Sequence, residues 1–289
     1  MCRAIDKNVN RKSEYNESGL KRALFVGLCT RDIVYYTNEI PSHNHKSKTE
    51  EFAVYIGGPA ANAAITYAML GGDATLATCL GNSLESRMMM EELSGYGVKV
   101  LNFSEYEVLP NMASIFVSED GKRTIVSGQH PFAVNRKFDV ASYAFVLFDC
   151  NQQEISLDIL KDTEGKTIVL DAGSMKPNMG LFLQSADIII ASEDFSDEKG
   201  NDIFSMDCKA IHKAVTRGER PILYNGSELP VEKVETVDTL GAGDIFHGAF
   251  CYAFFEEERN CDDALAFAAK VAGMSVKYRG PREWIKHWR

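Results

Sequence analysis

Val237-Asp238-Thr239-Leu240-Gly241-Ala242-Gly243-Asp244-Ile245-Phe246-His247-Gly248-Ala249-Phe250 is the most informative stretch of the chain. Two glycines bracket an alanine where a long helical pattern begins, so free backbone N–H groups and the positive end of the helix dipole can face an anion. Asp244 falls in the first turn beside this cradle, where a carboxylate can take the proton of a hydroxyl attacking a bound phosphoryl group. Alone, the stretch reads equally well as a capped helix with an acidic first turn, so its surroundings must separate the two.

Outward from that helix start, short apolar runs alternate with helical patterns. Residues 23–27, 74–80, 143–148, 166–170, 187–191 and 221–224 have the continuous hydrophobic character of strands covered on both faces. Between them, 60–70, 84–96, 154–161, 206–216, 242–257 and 262–277 read as helices. The alternation predicts an α/β protein with a parallel sheet and helices on both faces. Two stretches break it, 51–56 and 111–126, the second with an Asp120-Gly121 turn between alternating runs that predicts a hairpin. These strands are expected to form a small sheet standing off the main domain as a lid over a cleft.

Composition is that of an ordinary globular protein. The 289 residues are 45% apolar and 25% charged, and 31 Lys+Arg against 41 Asp+Glu leave a net charge of −10. Disorder and coiled coil are excluded, and the length suits one large α/β core with a small appendage. An acidic chain without a Lys/Arg cluster is not expected to bind nucleic acid. No apolar run is long enough for a membrane helix, so no membrane partner is expected. Seven cysteines without a CxxC pair fit neither a disulfide framework nor a zinc site, which points to a reducing, cytoplasmic setting. Residues 1–21 are polar and are expected to be a disordered leader, with the folded domain over 22–289 and lid strands inserted at about 33–56 and 101–128.

Two further points join the first. Gly57-Gly58-Pro59-Ala60-Ala61-Asn62 opens another helix with small residues that let a ligand approach the backbone, and Asn62 offers a donor and an acceptor to a polyol. Asp32 lies just after the first strand, where clefts form in open α/β sheets. Each has a plain structural reading, a tight turn or a single surface carboxylate. Dinucleotide-binding and P-loop patterns are absent, which disfavours an oxidoreductase or a Walker-type kinase.

These blocks, in this order and with a hairpin between the second and third, resemble the ribokinase-like (PfkB-type) carbohydrate kinases from about Arg22 to the end. Asp238 to Asp244 is similar to the C-terminal signature of that family and Gly57-Gly58 with Asn62 to its N-terminal one; parts of both resemble ketohexokinase and sulfofructose kinase. The resemblance implies a three-layer α/β/α sandwich with a mostly parallel sheet and a β-sheet lid, and an ATP-dependent transferase acting on a sugar hydroxyl. It makes Asp244 the base and the amides of Gly241, Ala242 and Gly243 the anion cradle. Asp32, Gly57, Gly58 and Asn62 would bind sugar. Ser192, Glu193, Asn225, Gly226 and Thr239 would lie on the nucleotide side. Asp238, Leu240, Ser275, Tyr278 and Gly280 match positions that hold a monovalent cation such as K⁺, with Mg²⁺ on the nucleotide phosphates and Glu193 touching it through water. A homodimer through the lid is a further expectation.

The sequence departs from that family at several points. Ser192-Glu193-Asp194-Phe195 lacks the carboxylate of the usual Asn-x-x-Glu motif, eleven residues separate Gly226 from Asp238, and the end after Gly280 is short. These features keep two alternatives open: a nucleoside kinase of the same family, with Tyr36, Tyr55 and Phe116 as candidate aromatic walls, and a weakened relative that senses sugar or nucleotide. His247 is expected to pack under the sheet, and Asp171 to point to the cleft edge.

Overall fold

The computed structural model describes residues 14–44, 46–118, 123–128 and 138–288, so the Asp120-Gly121 turn and the first thirteen residues of the expected leader lie outside the described residues. In chain order the strands are β1 (Arg22–Val26), β2 (Thr30–Thr37), β3 (Phe52–Gly57), β4 (Asp73–Thr78), β5 (Lys99–Asn102), β6 (Asn111–Ser118) and β7 (Arg123–Gly128). There follow β8 (Phe145–Phe148), β9 (Thr167–Ala172), β10 (Ile188–Ser192), β11 (His212–Arg217), β12 (Arg220–Tyr224) and β13 (Ser227–Leu229). The helices are α1 (Pro59–Met69), α2 (Leu84–Gly95), α3 (Gln153–Leu160), α4 (Met179–Ser185), α5 (Ala242–Cys251) and α6 (Cys261–Ser275).

Nine strands form one sheet in the order β13-β12-β11-β10-β9-β8-β1-β4-β5, parallel from β5 to β11. Its period of two divides the core. Ala23 and Phe25 of β1 point into a cluster with α1, α5 and α6, while Leu24 and Val26 point into a second cluster with α3 and α4. Helices cover both faces, giving the expected three-layer sandwich. No helix among the described residues is long and apolar enough to cross a membrane.

The lid is a second sheet in the order β3-β2-β6-β7. Its inner face carries Val34, Ala113, Ile115 and Val117, packed with Leu240 of the main domain. On the outer face Tyr35 stacks on Phe116 at 5.4 Å and faces Phe52 at 6.5 Å. At the lid root the buried Arg31 bridges Glu85 and Glu92 of α2 at 2.5 and 2.7 Å, which ties β2 to the main domain.

One element differs from expectation. Residues 206–216, expected to be a helix, instead form a loop followed by β11, which adds in parallel to β10 with Ile188 opposite His212 and Ser192 opposite Thr216. Pairing along the open edge of β10 satisfies the backbone of β11, and the β-branched Val215 and Thr216 suit a strand; a nonlocal ladder overrides a local period.

Candidate active site

Every parallel strand of the main sheet ends on the same side, and the site is assembled there. The α5 cap, Gly241, has φ 74°, a left-handed conformation that favours glycine, and a Cβ on it would lie 3.2 Å from Pro281. The Ala242 N–H closes a turn on the Thr239 carbonyl at 3.2 Å. Asp244, half-buried in the first turn of α5, accepts a hydrogen bond of 2.6 Å at Oδ2 from Asn62 Nδ2. Burial, and then the neighbouring carboxylate of Asp171, push its pKa up to about 7, opposed by the Asn62 bond and by His247. An acid tuned to neutrality in a cleft suits proton transfer.

Two cavities meet at this helix start. One, of about 370 Å³, is lined by Thr30, Asp32, Asn62 and Asp244 with Ala113 and Ile115 of the lid above them. The other, of about 410 Å³, is lined by Ser192, Glu193, Thr216, Gly218, Val234 and Gly273 among others. Thr239, Ala242 and Gly243 belong to both walls, so the cradle is the partition across which a group can pass.

In the first cavity Asp32 accepts a 2.6 Å bond from Thr30 Oγ1, and burial raises its pKa. Gly57 lies directly beneath it: a Cβ there would fall 1.8 Å from the Asp32 carboxylate. Gly58, φ 94°, passes so close to the Leu28 carbonyl that only glycine fits. The aromatic candidates go elsewhere, and none of them lines this cavity. Tyr36 donates its hydroxyl to Asp238, Tyr55 lies against Gly280, and Phe116 stacks on the outer face of the lid.

In the second cavity Ser192 Oγ donates to the Gly173 carbonyl at 2.9 Å, and Glu193 forms an ion pair with Arg220. Asn225 and Gly226 do not belong here. They follow β12, which runs antiparallel and returns to the far end of the sheet, and Asn225 bonds Lys213 and Ile211 at the beginning of β11. The glycine turn beside the cavity is Gly218, φ 63°, at the end of β11. The resemblance implied that turn at the end of β12, but β11 is the strand that ends beside the cavity.

Asp238 is buried and accepts three hydrogen bonds, from Leu240 N at 2.9 Å, Gly280 N at 2.9 Å and Tyr36 Oη at 3.1 Å. Ser275 Oγ donates back to Ala272, and Tyr278 stacks on His287 with centroids 4.3 Å apart. His247 is buried with Nδ1 2.7 Å from the Gly243 carbonyl and Nε2 3.2 Å from that of Ile190, packed against the sheet.

Two further residues matter at this end. Asp149, wholly buried at the end of β8, accepts from the N–H groups of Leu28, Ala60 and Asn151 at 2.9, 3.0 and 2.8 Å. It caps α1, which has no cap of its own, and a Cβ on Gly27 would strike it at 2.0 Å. The position of an Asp closing an apolar strand was its only available hint. Arg282, in the tail after α6, donates from Nη2 to Asn62 Oδ1 at 2.5 Å and to the Ile56 carbonyl at 2.9 Å.

Fold, cradle and paired cavities together define a small-molecule phosphotransferase of the ribokinase-like class. Residues 20–288 match the pfkB family carbohydrate kinases, and the chain belongs to that family, whose members are phosphotransferases with an alcohol group as acceptor. Ribokinase of Bacillus subtilis is 24% identical over 278 residues, covering 89% of this chain and 93% of the relative. Ribokinase of Dictyostelium discoideum is 26% identical over 304 residues, covering 88% and 94%. Among solved structures, Arabidopsis thaliana ribokinase complexed with ribose and ATP superposes with TM-score 0.71 at 21% identity, covering 92% of this chain and 97% of that one. Ribokinase of Thermotoga maritima gives 0.73 at 23%, covering 93% and 98%.

Proposed function

We propose that the protein transfers the γ-phosphoryl group of ATP to a hydroxyl, a primary one, of a sugar held beneath the lid, with Asp244 as general base. The observation that carries this reading is the shared wall: Asp244 faces the smaller cavity from a helix start whose other side faces the larger one. A sugar hydroxyl beside Asp244 lies in line with a phosphoryl group on the cradle, and positioning with electrostatic stabilisation is most of what phosphoryl transfer requires.

In this reading Asp32 and Asn62 hold sugar hydroxyls, Gly57 and Gly58 give the backbone room to approach, and Thr239, Ser192 and the turn at Gly218 border the nucleotide. Mg²⁺ would come with the nucleotide phosphates, and Glu193, which lines the larger cavity, would touch it through water once released from Arg220. When bound, Mg²⁺ neutralises phosphate charge. K⁺ would rest on Asp238, whose Oδ1 accepts only the Leu240 N–H, and on the backbone of Leu240, Ser275, Tyr278 and Gly280.

The relatives named ribokinase and deoxyribokinase make ribose and deoxyribose acceptors to test beside ketoses. An aliphatic cavity wall of Ala113, Ile115 and Ile125 favours a sugar over a nucleoside, whose base would seek an aromatic face. The test is ADP release from Mg-ATP over a panel of pentoses, ketohexoses, sulfosugars and nucleosides, with Asp244→Asn as control. Turnover on a sugar that the variant loses supports the reading. Silence across the panel, with sugar or nucleotide still shifting the melting temperature, replaces it with a sensor.

A further inference from the structure

We propose that Arg282 is a positioning residue for Asp244: acting through Asn62, it holds that carboxamide in the one orientation that donates to the base. The inference rests on the reading of Asp244 as base, and the groups concerned are separated enough in sequence that only the fold unites them.

A carboxamide is nearly symmetric in shape and can turn end for end. Between Arg282 and Asp244 it has no such freedom. A guanidinium only donates and an ionised carboxylate only accepts. The observed arrangement, Arg282 Nη2 to Asn62 Oδ1 at 2.5 Å and Asn62 Nδ2 to Asp244 Oδ2 at 2.6 Å, satisfies both. Turning Asn62 over would set donor against donor and oxygen against oxygen. With Oδ2 occupied by Asn62, Oδ1 is the oxygen available to an acceptor hydroxyl.

Arg282 is itself held rigidly. Nη2 also bonds the Ile56 carbonyl at 2.9 Å, and Nη1 bonds the Pro281 carbonyl at 3.0 Å. That carbonyl also accepts from Trp284 Nε1 at 3.1 Å, and Trp284 is 1% exposed. Pro281 packs against Gly241, so the same short tail braces both the base and its cradle. Arg282 lines neither cavity, which separates it from residues that touch substrate.

The charges around the pair fix the direction of the effect. Asp244 is faced by Asp171 and Asp149 from the ends of β9 and β8, by His247 along α5 and by Asn62 from α1. Arg282 is faced by Glu92 of α2 and Tyr96 just after it, by Asp32 of β2 and by Asp244 itself. Without the guanidinium, Asn62 is free to turn, and Asp244 loses a donor and a nearby positive charge while Asp171 and Asp149 remain. Its affinity for a proton then rises.

The experiment follows Asp244 directly in the full-length, ligand-free protein, by ¹³C NMR titration of aspartate carboxyl carbons assigned with Asp244→Asn, beside the pH profile of ADP release. Arg282→Gln is expected to raise the Asp244 midpoint by about one pH unit and so to lower turnover at neutral pH about fivefold, with recovery in alkali and an unchanged KM for ATP. Arg282→Lys, which keeps the charge, is expected to restore most of the turnover. Asn62→Ala is expected to raise the midpoint by less, because the guanidinium charge stays, and adding Arg282→Gln to Asn62→Ala is expected to move it by less than Arg282→Gln does alone. A midpoint unmoved in folded Arg282→Gln overturns the proposal. Should that variant not fold, a midpoint unmoved by Asn62→Ala overturns it equally. A midpoint that moves while the rate profile stays in place leaves the relay standing and removes Asp244 as the base.

Discussion

Asn62 and Asp244, 182 positions apart in the sequence, are joined by a 2.6 Å hydrogen bond between carboxamide and carboxylate. The bond connects the start of α1 with the start of α5, two helices that pack against each other on the same face of the sheet. It places the proposed base at the junction of the two cavities and favours its ionised form against burial and the Asp171 charge.

The balance sets the pH dependence of turnover. With Asp244 raised to about 7, a base mechanism is active only as that carboxyl loses its proton, so kcat/KM should rise through neutral pH and level off above it. Replacing Asp171 by Asn removes the largest opposing charge and should move the rising limb toward acid. A limb unmoved in Asp171→Asn argues that burial alone sets the value.

The same shift has a stability consequence of opposite sign to the usual carboxylate. A folded-state pKa raised above the ordinary 3.8 means that the stabilisation by neutral Asp244 is complete below pH 3.8 and lost as pH rises through about 7. Asp244→Asn, which bears no charge, should therefore melt higher than the parent at pH 8, by roughly 2 °C, while the difference disappears in acid. Thermal scans at the two pH values check this while turnover is abolished.

Asp149 should matter more to folding than to chemistry. Its carboxylate takes three backbone N–H groups, and truncation leaves them buried without an acceptor. Asp149→Ala should cost about 3 kcal/mol or more in urea unfolding, and Asp149→Asn, which keeps one acceptor oxygen, distinctly less. Equal losses would mean that charge rather than acceptor count holds α1 and the Gly27 turn.

The outer face of the lid presents Phe52 at 63%, Val54 at 48% and Val126 at 65% exposure. Covering that face with a second copy would make the expected homodimer. Light scattering should then show a dimer that Phe52→Asp with Val126→Asp converts to monomer, with each subunit still folded by circular dichroism. A monomeric parent at working concentration rejects the lid contact.

Much of this was legible in the residues. Buried parallel strands are apolar on both faces, so 23–27 and 187–191 announce themselves, and the Gly241-Ala242-Gly243-Asp244 cradle is a local device in which glycine conformation, helix start and acidic first turn are contiguous. The family resemblance joins Asp32, Asn62 and Asp244 at the level of sequence, and strand ends and helix starts converge on one side of such a sheet. What depended on pairing or burial was not legible. Residues 206–216 carry a helical period, but the edge of β10 recruits their end as β11, and the glycine turn by the nucleotide cavity is Gly218 at the end of that strand rather than Gly226 after β12. Asp149 and Arg282 act on backbone and side chains far away in sequence, through hydrogen bonds that no spacing encodes. The raised pKa of Asp244 likewise comes from water excluded by packing and from Asp171 delivered by another strand. The sequence alone determined the class of fold and the cradle, because both rest on local conformation and periodicity; the tertiary structure decided the electrostatics of the base and the residues that position it, because those rest on contacts made only when distant segments pack.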